Sequence, residues 1–326
     1  MYTKNYPAPM GNNDVTKVYS SSAQVHFPTA TLKNQILFIF LYLLIMNSSK
    51  PIVSPLRYPG GKSTISTFLC SLFPSFEEYR EPFIGGGSVF IETKNNFPYK
   101  KYWINDIYNP LYCYWKSIRD NGNEMMGIVK SWKSTITDGK SKFNELVENM
   151  DTFDELMKGV AFYFINRTSF SGTSISGGYS DEAFHKRFTD SAIERSDKLI
   201  PFMKDVRITN MDFEDVMKEN GNNVFMFLDP PYYSAEKSHL YGKNGNTHKG
   251  FDHERFANAC KQSPHKWLIT YDDSEYIRDL FKGFNITTIE LVYAMKNTPY
   301  SKKNKGNELI ITNYDVIGSF QTAELF

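Results

Sequence analysis

An aspartate, two prolines and a tyrosine stand together at Asp229-Pro230-Pro231-Tyr232. The carboxylate is an ionised acceptor and the tyrosine offers an aromatic face. The prolines stiffen the backbone and remove its donors, so their carbonyls can point at a ligand with little ordering cost. Such a set suits a flat ring that carries an exocyclic NH2 group. The same four residues also make a plain strand exit with a capping aspartate, so the motif gains weight only from its surroundings.

Two further stretches could bind a ligand. Ile84-Gly85-Gly86-Gly87-Ser88 is a tight glycine turn, and glycines allow close backbone approach and positive φ. Asp106 follows about 20 positions later, the distance at which a carboxylate reaches ribose hydroxyls in dinucleotide and adenosine sites. It could equally cap a helix before Pro110. Gly61-Lys62-Ser63 resembles the tail of a phosphate-binding P-loop, but that motif needs glycine where Leu56 stands. A nucleotide triphosphatase is therefore excluded on spacing, and a turn opening a helix through Phe73 remains, with Lys62 and the free N–H groups available to an anion.

The elements that must carry these residues alternate. Val224–Leu228 is a continuous apolar run, suited to a strand buried on both faces, and the prolines force the chain out of the sheet at its C-terminal edge. Ligands bind at that edge in open α/β sheets. Strands are also predicted at Tyr79–Phe83, Tyr102–Asn105, Val206–Thr209, Lys266–Tyr271, Asn285–Leu291 and Leu309–Asn313, with helices near 89–95, 213–219 and 274–281. Between about 111 and 200 the strand pattern stops. Phe143, Leu146, Val147, Met150, Phe153, Leu156, Met157 and Val160 keep helical spacing, and Phe162–Gly172 leads into a Ser/Gly-rich loop. A polar loop holding Asn166 and Arg167 could reach base edges and phosphates, or could be ordinary surface. Lys296–Lys305 is basic and free of acids, and Lys296, Lys302 and Lys303 could contact phosphate.

The chain has 326 residues, 41% hydrophobic and 16% aromatic, enough for one large α/β domain with an insertion. A formal charge of +1 means that any nucleic-acid contact must use local basic patches. Cys70, Cys113 and Cys260 form no C-x-x-C pair and the histidines no H-x-x-x-H, so neither a disulfide framework nor a metal site is expected, and a reducing, cytoplasmic setting fits. Residues 1–50 read unlike the rest. The apolar run Ile36–Met46 is too short to span a bilayer, and no small-x-small cleavage site follows it. The expectation is no membrane anchor and a working protein that begins at or near Met46.

Taken in order, Arg57-Tyr58-Pro59-Gly60-Gly61-Lys62, Glu81-Pro82-Phe83-Ile84-Gly85-Gly86-Gly87, Asn105-Asp106, Phe164-Ile165-Asn166-Arg167 and Asp229-Pro230-Pro231-Tyr232 resemble the Dam-type (D12 class) DNA adenine-N6 methyltransferases from about Pro51 to Tyr314. The resemblance implies an α/β fold: a Rossmann-like S-adenosylmethionine-dependent methyltransferase sheet with a mostly helical inserted target-recognition domain. It divides the chain into an extension (1–50), a first catalytic part (51–114), the insertion (115–200) and a second catalytic part (201–326). It implies S-adenosylmethionine held by Tyr58, Lys62, Phe83, Gly85, Gly87, Asp106, Asp212, Phe213 and Asp229. Tyr58 stands where an aromatic residue, often tryptophan, is usual in the family. The substrate implied is double-stranded DNA, with Asn166, Arg167, Lys296, Lys302 and Lys303 as contacts. A cognate restriction endonuclease is an open partner.

Asp229, Pro230, Pro231 and Tyr232 are the expected catalytic set. The target adenine would be flipped out, stacked on Tyr232, and its amine held by the Asp229 carboxylate and the Pro230 carbonyl. The rivals are methylation of cytosine N4 or a glutamine side chain, a nicotinamide-dependent oxidoreductase, and a nucleic-acid-binding relic without turnover. Asp at 229 leans toward adenine, and the oxidoreductase leaves Asp229–Tyr232 unexplained.

Overall fold

The computed structural model describes residues 51–58, 60–233, 250–293 and 304–316. Seven strands form one sheet: β1 (Glu78–Glu81), β2 (Lys101–Asn105), β3 (Val206–Thr209), β4 (Val224–Leu228), β5 (Lys266–Asp272), β6 (Asn285–Tyr293) and β7 (Asn304–Thr312). Their spatial order is β3-β2-β1-β4-β5-β7-β6. The first five run parallel, and β7 is antiparallel to both β5 and β6. The chain leaves β1 toward β2 on one side and returns as β4 on the other. That reversal of strand order opens a crevice beyond the carboxyl ends of β1 and β4.

Burial on both faces explains why β4 reads as an unbroken apolar run. All five of its residues are buried. Successive side chains point to opposite faces, and they join different cores: Phe225 and Phe227 pack in one, Val224, Met226 and Leu228 in the other. β5 splits in the same way, with Leu268 on the first face and Trp267, Ile269 and Tyr271 on the second.

Helices α1 (Ser66–Ser71) and α2 (Ser88–Asn96) flank β1. Between β2 and β3 lie α3 (Asn109–Thr135), α4 (Gly139–Glu148), α5 (Glu155–Thr168), α6 (Asp181–Arg187) and α7 (Asp190–Phe202). Later come α8 (Phe213–Lys218), α9 (His253–Gln262) and α10 (Glu275–Leu280). The stripe from Phe143 to Val160 is two helices, because Asp154 accepts from Met157 N at 2.8 Å and starts α5 afresh. Trp115, Phe162 and Phe164 from this block share the first core with Tyr79, Phe90 and Ile104, so the helices pack onto the sheet. No helix of the described residues is long and apolar enough to cross a membrane. Residues 1–50 and Lys296, Lys302 and Lys303 lie outside the described residues.

Asn166 and Arg167 depart from expectation. Both lie within α5, and both are buried. Asn166 clamps the backbone of Arg57: its Oδ1 accepts from Arg57 N at 2.9 Å and its Nδ2 donates to Arg57 O at 2.7 Å. Arg167 donates from Nη1 to Pro55 O at 3.0 Å and from Nε to Arg187 O at 2.8 Å. Burial lowers its guanidinium to about 10. These two side chains, expected at base edges and phosphates, fasten residues 55–57, next to Tyr58, to α5. The apolar run before them continues the helix, and a buried polar group must find partners inside the protein. Replacing Asn166 with alanine leaves the partly buried Arg57 N–H and C=O without those partners, which should cost about 2 kcal/mol. Urea unfolding checks this, and an unchanged midpoint would show that the clamp is dispensable.

Candidate active site

A cavity of about 590 Å³ opens at the carboxyl ends of β1, β2 and β4. Every expected catalytic and cofactor-binding residue lines it: Tyr58, Lys62, Phe83, Gly85, Gly87, Asp106, Asp212, Phe213 and the run Asp229–Tyr232. Residues from five separate stretches meet there because parallel strands deliver all their outgoing loops to one edge of the sheet.

Asp229 sits one residue past β4, and its carboxylate is gripped from two sides. Lys62 Nζ lies 2.9 Å from both Oδ1 and Oδ2, and it also donates to Gly60 O at 2.9 Å. Thr270 Oγ1, on β5, donates to Asp229 Oδ1 at 2.7 Å. Lys62 is 6% exposed. Desolvation lowers its pKa, but the Asp229, Glu308 and Glu81 carboxyl groups outweigh that and raise it. It is therefore a cation at neutral pH, 5.0 Å from the centroid of the Tyr232 ring. Tyr232 in turn packs at 5.8 Å on Tyr271. Lys62 thus stands at the Asp229 end of the cavity, tied to a carboxylate that adjoins it only in the folded chain.

The glycine turn is shaped by its neighbours as much as by any ligand. Gly85 and Gly87 have φ of 47° and 69°. A Cβ on Gly85 would lie 3.0 Å from the Tyr58 ring, and one on Gly87 would lie 2.7 Å from Trp115. Glycine is needed here so that two aromatic rings can lie against the backbone. Gly85 N donates to Asp106 Oδ2 at 3.1 Å, and Tyr108 N donates to Oδ1 at 3.0 Å. Burial pushes the Asp106 carboxyl up to about 6, against the pull of those two donors.

Asp212 accepts from Glu214 N at 2.9 Å and so caps α8. Its two oxygens also face Arg255 on α9, with Nη1 3.1 Å from Oδ2. The same guanidinium lies 4.7 Å from the centroid of the Phe213 ring. Phe213 and Phe83 pack with centroids 5.5 Å apart, giving the cavity an aromatic wall.

Several residues to which the sequence analysis gave no catalytic or binding role shape the site. Asn105 joins three strand ends, donating to Pro82 O and Met211 O at 3.0 Å each and accepting from Thr209 Oγ1 at 2.8 Å. Glu81 is buried beside the cavity; burial holds its carboxyl well above the usual range. Thr173 and Ser174 line the rim on a loop where Ser171 and Ser174 take φ of 51° and 54°. Arg255 and Thr270 carried no spacing signal, because each acts on a partner more than 40 residues away. Among the described residues no group of three or more His, Cys, Asp or Glu side chains could hold a metal ion.

Comparison with known proteins bears on this geometry. The Type II methyltransferase M1.LlaDCHI of Lactococcus lactis subsp. cremoris is 24% identical over 276 residues, 79% of this chain and 94% of that protein. The Type II methyltransferase M.CviBI of Paramecium bursaria Chlorella virus NC1A is 25% identical over 272 residues, 81% and 100% of the two chains. The Type II methyltransferase M.MjaIII of Methanocaldococcus jannaschii is 23% identical over 287 residues, 79% and 98%. The model of the D12 class N6 adenine-specific DNA methyltransferases matches residues 58–295. That span takes in the glycine turn, Asp106 and Asp229–Tyr232, and with it the chain belongs to the D12 class N6 adenine-specific DNA methyltransferase family.

Proposed function

We propose that this protein transfers the methyl group of S-adenosylmethionine to the N6 amine of an adenine flipped out of double-stranded DNA. The observation that carries the reading is the sharing of one cavity by the Asp229–Tyr232 run and the Asp106 glycine-turn half. One half suits a planar amine and the other an adenosyl group. The fit to the donor rests on the chemistry of that second half: a carboxylate for ribose hydroxyls at Asp106, an aromatic wall at Phe83 and Phe213, and acceptors at Asp212 for an adenine amine. Tyr58, Lys62, Gly85, Gly87 and Asp229 complete the cofactor side.

When bound, S-adenosylmethionine supplies a sulfonium methyl that is open to in-line attack. The protein must hold and orient the attacking nitrogen. The N6 lone pair is delocalised into the purine ring and is a poor nucleophile. Hydrogen bonds from the amine to the Asp229 carboxylate and the Pro230 carbonyl favour a pyramidal nitrogen with its lone pair localised. Lys62 pairs with the carboxylate in a partly buried place, and Tyr232 offers its ring to the base. Positioning and fixed charge then do most of the work. A base inside a duplex cannot reach such a cavity, which is why flipping belongs to the reading.

The helices between β2 and β3 are the proposed carriers of target recognition, with the 169–178 loop at the rim of the cavity. The three relatives above are named as Type II methyltransferases. That favours a restriction–modification setting and a cognate endonuclease as partner.

Expressed in a host without DNA methylation, the wild type should place N6-methyladenine at one short motif, read by long-read sequencing. Asp229→Ala should abolish the mark while the protein stays folded. Activity within roughly tenfold of wild type would remove the carboxylate from its assigned role.

Cofactor affinity should also depend on pH. Asp106 must be ionised to accept from ribose hydroxyls, and its carboxyl in the free protein lies at about 6. Affinity for S-adenosylhomocysteine should be flat above that value and weaken below it, by roughly tenfold per pH unit once the carboxyl is protonated. Calorimetry between pH 5 and 7 tests this. Asp106→Asn should bind weakly and lose the slope, and a slope that survives the substitution would point to another group.

A further inference from the structure

We infer that Thr270 is a positioning residue for the methyl-transfer reaction, holding the Asp229 carboxylate at the angle from which it receives the target amine. The inference rests on the function proposed above and assigns a role in it to a side chain outside the cavity.

The sheet creates the contact. β4 and β5 pair in parallel with Leu228 opposite Ile269, so the next residues, Asp229 and Thr270, stand side by side at the strand ends. Thr270 is fully buried and is not among the residues that line the cavity. It is the one aliphatic hydroxyl in the run Trp267-Leu268-Ile269-Thr270-Tyr271, where a valine would satisfy the strand equally well. A buried hydroxyl is unfavourable unless it is hydrogen-bonded. Its bond is the 2.7 Å donation to Asp229 Oδ1.

The two carboxylate oxygens are thereby made unequal. Oδ1 receives both Thr270 Oγ1 and Lys62 Nζ, whereas the bond described at Oδ2 is that from Lys62. Lys62 is nearly equidistant from the two oxygens and does not by itself choose between them. Its contact would survive a turn of the carboxylate about the Cβ–Cγ bond, and the Thr270 bond would not. Thr270 therefore sets the plane of the carboxylate and leaves Oδ2 as the oxygen with room for the amine. A hydrogen bond that aims an acceptor matters to the rate because small misplacements at the reacting centre are costly.

Thr270→Val keeps the shape and removes the hydroxyl, Thr270→Ala removes it with less bulk, and Thr270→Ser restores it. In methyl-transfer assays on DNA, Val and Ala should lower kcat by roughly 10- to 100-fold while KM for S-adenosylmethionine stays within about threefold. Ser should return kcat to within about threefold of wild type. A Val or Ala kcat within about twofold of wild type overturns the inference, as does a Ser variant that is no better than Val. A crystal structure of the full-length Thr270→Val protein gives a second readout that needs no turnover. The Asp229 carboxylate should be rotated relative to wild type, and an unmoved carboxylate overturns the inference. Wild type that leaves DNA unmethylated would sink the proposed function, and the crystal structures would still decide whether Thr270 holds Asp229.

Discussion

A carboxylate set between a buried ammonium and a buried hydroxyl is the interaction on which this site depends. Asp229 alone, at the end of an apolar strand, would be a charge beside two hydrophobic cores. Lys62 balances it, at 2.9 Å, and Thr270 fixes its direction, at 2.7 Å. The pair is useful because neither partner is fully exposed: screening by water is weak there, so the attraction is retained. Removing one member would leave the other as an unpaired charge in a poorly solvated place, which is far more costly than the pair itself. The same logic binds Lys62 to the Gly60 carbonyl, so the loop before α1 is organised around the charge it must deliver.

The rest of the sheet brings the other half of the cavity to the same edge. Strand order reverses between β1 and β4, and every loop that leaves the carboxyl end of a parallel strand there faces the crevice. Asn105 ties three of those ends together through backbone bonds. The glycine turn bends tightly enough for Tyr58 and Trp115 to pack against it, and Asp106 closes on the turn through Gly85 N. Arg255 reaches over from α9 to steady Asp212 and cover Phe213. Asp106, Asp212 and Asp229, which face the cavity, are each held by hydrogen bonds from within the protein.

The helices between β2 and β3 show the converse. Asn166 and Arg167 look, by residue type, like groups meant for a polyanion. In the fold they spend their hydrogen bonds on the carbonyls of residues 55, 57, 172 and 187. A polar side chain on a helix that is buried on all sides has no water to fall back on, so it becomes a structural clamp. Here the clamp fixes the segment next to Tyr58. An irregular loop with two serines at positive φ follows at once, and the strain it holds lies at the cavity rim.

Much of this was legible in the amino-acid sequence alone. Alternating patterns located the seven strands, and the double proline located the exit of β4, because these depend on local sterics and on burial period. The glycine turn, Asp106 and Asp229–Tyr232 could be named as one site because their order along the chain is itself a signature. Tertiary structure decided what lies beside what. That Lys62 meets Asp229 across 167 residues, that Thr270 stands next to Asp229 through strand register, and that Asn166 faces inward are outcomes of packing. No local pattern encodes them. The physical reason is that a side chain's type limits which bonds it can make, while the partner it finds is set by which surfaces the whole chain must bury together.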